Sequence, residues 1–269
     1  MTRMNRAWAV AACAALALAV TGCGSDKSDK GGKSDKDGSI LGTKPDKGSD
    51  ADSELAKLSA KEISKKAETE LESAKSLRMK MDLTSAGTRQ KMDLALDSSG
   101  NCAGSMEMGT EGSFELIKLS DKVWMKPDET FWKTQAGSDG AAAAELFKGK
   151  WVHGSTSDEM FKDMTDVCDL AGFQQSLDTD DSDDKMTKGT LVTVDGNKVI
   201  PVNGKSSDGD PMTLYVAAEG KPYPLKIVQK GAESGSIELT DWDKPVPATT
   251  PPADQVVDMA KLQEQLGGV

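Results

Sequence analysis

Ser76-Leu77-Arg78-Met79-Lys80-Met81-Asp82-Leu83 alternates apolar and polar side chains without a break. A period of two belongs to an extended strand with one face on a core and the other in water. The alternation returns beyond Ser85–Arg89, where Met92, Leu94 and Leu96 stand between Lys91, Asp93 and Asp97. After the turn Ser98-Ser99-Gly100-Asn101, the residues Cys102, Gly104, Met106 and Met108 keep one parity. The segments 114–119, 123–126 and 131–134 are predicted to continue the meander, through turns at Asp121-Lys122 and Pro127–Glu129. One-faced alternation of this kind makes an antiparallel sheet with a solvated outer side. Met79, Met81, Leu83, Met92, Leu94, Leu96, Met106, Met108, Phe114, Leu116 and Met125 then line its inner face.

Upstream the period changes to that of a helix. Leu55, Leu58, Ile63, Ala67 and Leu71 recur at three to five residues over 53–74, and Ser59 with Glu62 has the pattern of a capping box. Before it, residues 24–52 are almost wholly Gly, Ser, Asp and Lys, with Ile40-Leu41 as the one strong apolar pair. Such a segment cannot bury enough surface to offset its ordering entropy, so it reads as a disordered tether with a span of roughly 30 Å. The chain begins with Arg3 and Arg6, then an apolar run from Trp8 to Val20. That is a secretory signal over residues 1–22, too short for a hydrocarbon core that needs about 20 helical residues. Val20-Thr21-Gly22-Cys23 ends it as a lipobox, which makes Cys23 the diacylglycerol-bearing N-terminus of a lipid-anchored protein on the extracytoplasmic face of the cell membrane.

Downstream of the first strands, residues 141–147 read as a short Ala-rich helix, and Ser157 as the N-cap of a longer one. Met160, Met164, Val167, Cys168 and Ala171 form that helix's apolar stripe, with Phe161 beside it. Asp178 to Lys185 is an acidic turn. Strands resume at 190–194, 198–202, 212–217, 225–230 and 236–242, with Gly196-Asn197 as a hairpin signal. After the Pro-rich stretch 245–252, Asp254 can cap a last helix carrying Val256, Val257 and Met259. Residues 53–269 thus suffice for one substantial α+β domain.

Composition excludes several functions. Formal charge is −11, and loss of Arg3 and Arg6 with the signal makes it −13, which opposes nucleic acid and anionic headgroups. His153 is the single histidine, read as a polar residue between helices, and no nucleophile elbow or phosphate loop accompanies it. Metal ligands are too few for zinc, and 178–184 lacks the Gly and terminal Glu of a calcium loop, so no metal or cofactor is expected. Trp124, Trp132, Trp151 and Trp242 read as half-buried structural residues rather than a sugar site. No enzymatic activity is expected. With Cys13 lost and Cys23 acylated, Cys102 and Cys168 either pair as one disulfide or stay as buried thiols.

Several local features carry a resemblance. Pro222-Tyr223-Pro224-Leu225-Lys226-Ile227 enters a late strand, Asp241-Trp242-Asp243-Lys244-Pro245 leaves the last, and Pro251-Pro252-Ala253-Asp254 precedes a terminal helix. With the lipobox, tether and order of elements, the chain resembles the LppX/LprG-type lipoproteins of actinobacteria, whose fold is LolA-like. The resemblance implies a strongly curved antiparallel half-barrel with helices on its concave face and a hydrophobic cavity between them. It implies binding of lipid or lipoglycan acyl chains for transport or presentation in the envelope, with an envelope transport partner. Met160, Phe161 and Met164 would then face the Met-lined sheet across that cavity. In the alternative, sheet and helices pack shut and the protein is a tethered scaffold or sensor.

Overall fold

The computed structural model describes residues 54–177, 185–206 and 209–267. The signal, Cys23, the tether and the acidic turn at 178–184 lie outside the described residues. A 3-10 turn at Glu54–Lys57 leads into α1 (Ala60–Ser73). The capping box forms as read: Ser59 Oγ accepts from the Glu62 N–H, and the Glu62 carboxylate accepts from the Ser59 N–H at 2.8 Å. Ile63, Ala67 and Leu71 form the buried stripe of α1.

The meander follows as β1 (Ser76–Ser85), β2 (Thr88–Asp97), β3 (Cys102–Glu107), β4 (Ser113–Leu119) and β5 (Lys122–Pro127). Ala86 and Gly87 both take positive φ, the twist that a two-residue hairpin between β1 and β2 requires. Met108 falls just beyond β3, at the start of a 3-10 turn. The predicted strand at 131–134 is instead part of α2 (Glu129–Gln135). Asp128 decides this locally, since its carboxylate accepts from the Phe131 N–H at 2.7 Å and caps the helix. Phe131 and Trp132 are then buried as neighbours, which no strand with one solvated face allows.

α3 (Gly140–Leu146) matches the Ala-rich helix. His153 lies not between helices but on β6 (Trp151–Ser155), paired with β5. The long helix expected from Ser157 is broken into α4 (Glu159–Thr165), a 3-10 turn at Asp166–Cys168 and α5 (Leu170–Ser176). Its N-cap is Asp158, because Ser157 Oγ is engaged with Ser155 Oγ at 3.0 Å. Cys102 and Cys168 are joined as a disulfide, with Cα atoms 5.5 Å apart, at the break between α4 and α5.

β7 (Thr187–Lys188) and β8 (Val192–Val194) both pair with β9 (Asn197–Lys205), followed by β10 (Pro211–Ala217), β11 (Pro224–Gln229) and β12 (Ser234–Thr240). The hairpin turn lies one residue earlier than Gly196-Asn197, at Asp195 and Gly196, both at positive φ. Val256 and Val257 are not helical. They form β13 (Val256–Asp258), parallel to β6, and α6 (Met259–Gly267) starts after it. Two β-branched residues meet an unpaired strand edge there, and Val257 lands beside the buried Val152.

Among the described residues the sheet has thirteen strands in the order β13-β6-β5-β4-β3-β2-β1-β12-β11-β10-β9-β7, with β8 on β9, and it does not close. It is antiparallel except for β13 and β6, so the architecture is α+β, a curved open sheet with helices on its inner face. Two glycines sit at close strand contacts. A Cβ on Gly104 would lie 1.9 Å from the Asp93 carbonyl oxygen, and one on Gly235 2.0 Å from that of Asp82. Two apolar clusters result. One joins β1–β6 and β12 to Leu71 of α1 and the helices from α2 onward, and the other joins Ala60, Ile63 and Ala67 of α1 to β9 and β10.

Candidate functional site

Strand register arranges the inner face into rows that run across the sheet. The first, Leu77–Leu96–Cys102, is buried and is held under the helices by the bond to Cys168. The second, Leu239–Met79–Leu94–Gly104–Leu116–Met125, is buried at every side chain and continues through Val152 to Val257. The third is Pro127–Phe114–Met106–Met92–Met81–Ile237–Ile227–Leu214–Val202. It crosses nine strands, roughly 38 Å at the usual strand spacing of about 4.8 Å. Here coverage becomes incomplete: Met106, Met81, Ile237 and Leu214 are only partly buried. The fourth row is the rim, with Leu83 half-buried, Gln90 exposed and Gly235 between Leu83 and Gln229. The concave face is therefore packed at the disulfide end and opens toward the β1–β2 hairpin.

Cavities lie at both ends of the third row. A pocket of about 330 Å³ touches Met106, Phe114 and Pro127 at one end, together with Trp132 of α2 and Ala144 of α3. At the other end a narrow gap of about 50 Å³ lies between α1 and β10–β11, lined by Ala67, Leu71, Leu177, Met212, Leu214 and Ile227. Ser64 and Glu68 of α1 also border it, and the buried Glu68 carboxylate is paired with Lys65 at 2.9 Å.

The predicted lining residues fall into two groups. Met79, Met92, Leu94, Leu96, Phe114, Leu116, Met125 and Phe161 are buried in one core cluster, with Met81, Met106, Met108 and Met164 packed partly buried against it. Leu83 belongs to the rim. Met160 departs from the reading: it is 40% exposed, while Phe161 is 1% exposed. The inward face of α4 is turned by one residue because the Phe161 ring packs onto Gly154, where a Cβ would come within 2.4 Å. Sequence periodicity missed Ile237, Ile227 and Leu214. Each lay in a recognised strand, but only the β1–β12 register extends the Met row into the second meander.

The outer face is a lattice of ion pairs. Arg78 binds Asp93 at 2.6 Å, Arg89 forks onto Asp82, Lys91 reaches Glu107 at 2.8 Å, and Lys226 reaches Glu238 at 2.7 Å. The hydrogen bonds from Arg89 hold the Asp82 carboxyl below the usual carboxylate range. Burial pushes the Asp128 carboxyl up, but the bonds it accepts from Phe131 and Ser113 outweigh this and leave it lowered. His153 Nδ1 lies 3.4 Å from Asp258 Oδ2, under the ring of Trp124. The other tryptophans are also placed by packing: Trp132 on Phe147, Trp242 on Tyr223, and Trp151 beneath Lys126. Among the described residues no group of three or more potential metal ligands occurs, and no helix is long and apolar enough to cross a membrane.

No protein-family model matches the chain, and no curated protein does. Solved structures do. LprF from Mycobacterium bovis superposes with a TM-score of 0.52 at 12% identity, over 72% of this chain and 97% of that one. The Mycobacterium tuberculosis lipoprotein LppX gives 0.46 at 14% identity, over 71% and 98%. A LolA superfamily protein from Nitrosomonas europaea gives 0.22 at 10% identity. At these identities the likeness to LprF is one of fold, and it agrees with the resemblance read from the sequence.

Proposed function

We propose that this chain is a membrane-anchored lipoprotein that binds lipid or lipoglycan acyl chains along its concave face, for transport or presentation in the cell envelope. The observation that carries this reading is the half-covered third row, an apolar track across nine strands with a cavity at each end. Its length exceeds that of one extended acyl chain. Burying each methylene contributes about 0.8 kcal/mol, so affinity follows without polar recognition. Methionine suits such a wall, because its flexible, polarizable side chain repacks around different occupants. The likeness to LprF supports the fold that this reading needs. Native mass spectrometry of the protein gently purified from its host is expected to show co-purifying lipid. A wild type that carries none and takes up no fluorescent acyl probe leaves the tethered scaffold as the better reading.

The anchor is tested separately. Cys23→Ala is expected to abolish diacylglycerol attachment and move the protein from the membrane fraction to the soluble one. Unchanged partitioning of Cys23→Ala, with a wild type free of diacylglycerol by mass spectrometry, would remove Cys23 as the attachment point.

A further inference from the structure

The outer face of the sheet carries a depression of about 420 Å³ across β12, β1, β2 and β3, on the side opposite the apolar rows. Two rows of the register build it. Glu238, Lys80, Asp93 and Ser105 stand in one, and Ser236, Asp82, Lys91 and Glu107 in the next. Met81 and Met92 border it from strands whose alternation turns their side chains to the concave face, so the lining that a ligand meets is charged and hydroxylic. Among the described residues no aromatic ring lines it. Its volume falls within the range of small-molecule sites, and the span from β12 to β3 is roughly 14 Å at the usual strand spacing.

Every carboxylate of the depression already has a cation. Asp93 takes a fork from Arg78 at 2.6 and 2.9 Å, and Asp82 a fork from Arg89. Glu107 holds Lys91 at 2.8 Å, and Glu238 holds Lys226 at 2.7 Å, where Lys226 also reaches Asp195 at 3.0 Å. Lys80 is left over. Its nearest acid is Asp93 at 3.9 Å, and both oxygens of that carboxylate are held by Arg78. Among the described residues the Lys80 ammonium and the hydroxyls of Ser105 and Ser236 have no hydrogen-bond partner. The paired carboxylates keep acceptor capacity, since each offers about four lone-pair sites. One unmatched positive charge therefore stands among free hydroxyls and carboxylate acceptors, in a chain of formal charge −11. An oxyanion satisfies Lys80 by a charge-assisted bond, and hydroxyls carried with it can donate to the carboxylates and bond the serines. A bare anion leaves those acceptors unused, and an apolar or aromatic ligand finds nothing to pack against.

We propose that this depression binds a sugar bearing one oxyanion, phosphate or carboxylate, with the anion on Lys80 and the ring hydroxyls shared between Ser105, Ser236 and the carboxylates of Asp82 and Glu107. The site lies on the face opposite the acyl track and does not depend on that reading. The test titrates the full-length protein with glucose 6-phosphate, glucuronate, inorganic phosphate and glucose, following backbone amide shifts. Shifts are expected in β1–β3 and β12. The tighter of glucose 6-phosphate and glucuronate identifies the anion, and it is expected to exceed both inorganic phosphate and glucose. Lys80→Gln should weaken it roughly tenfold or more, and Ser105→Ala with Ser236→Ala roughly threefold. Lys80 is exposed and unbonded, so Lys80→Gln should keep the wild-type Tm. Lys75→Gln, also exposed but outside the depression, should leave affinity unchanged. Inorganic phosphate or glucose binding as tightly as the anionic sugar, an unchanged affinity in Lys80→Gln, or no shifts in these strands overturns the assignment. Acyl binding on the concave face stands in each case.

Discussion

Cys102→Ala with Cys168→Ala is expected to lose about 4 kcal/mol of stability, which for a domain of this size lowers Tm by roughly 8–16 °C. The size follows from the sequence separation of 66 between the two cysteines, because the cross-link removes that much loop freedom from the unfolded chain. The loss should also be local before it is global. Cys102 lies in the first inner row and Cys168 in the turn between α4 and α5, so the bond ties those helices to the packed end of the sheet. Amides of α4 and α5 are expected to lose hydrogen-exchange protection first, while β1–β5 keep theirs. Quantitative alkylation of both thiols without reductant, or an unchanged Tm in the double variant, would refute the clamp.

What could be read in the sequence was what repeats locally. The alternation at 76–83 and 91–97 gave strands with the correct inner face, and the Ser59–Glu62 pair placed the start of α1. Where local and tertiary demands conflict, periodicity failed. Residues 131–134 pass for a short strand until the Asp128 cap is seen to bend them into a helix. Val256 and Val257 become a strand because β6 offers them an open edge, their partners Trp151 and Val152 lying 105 residues earlier in the chain, which no window of sequence contains. The same limit applies to the site. Four of the nine residues of the apolar row were visible, as Met81, Met92, Met106 and Phe114. Its continuation through Ile237, Ile227 and Leu214 depends on β12 pairing with β1, a long-range register. Coverage was invisible too, because composition cannot distinguish a methionine packed from all sides, such as Met125, from one left partly open, such as Met106.

That difference in coverage yields the most discriminating prediction. Leu94 and Met106 both point into the concave face, from the second row and the third, but Leu94 is 0% exposed and Met106 is partly open beside the 330 Å³ pocket. A Trp at Leu94 has no free volume to enter and should destabilise by roughly 1–3 kcal/mol through overpacking. A Trp at Met106 can place its ring in the existing pocket, so Met106→Trp is expected to melt near the wild-type temperature. It should nevertheless lose bound lipid, because the indole fills the track where an acyl chain would lie. Met81→Asp attacks the same row by charge instead of bulk. It sets a carboxylate against methylenes midway along the track, where an unpaired charge strongly disfavours any chain. Melting curves and lipid extraction from the same preparations separate the readings. If Met106→Trp is destabilised as much as Leu94→Trp, the third row is as tightly packed as the second. If Met106→Trp and Met81→Asp both retain wild-type lipid content, the chains do not run along this row, and the carrier reading loses the observation on which it stands.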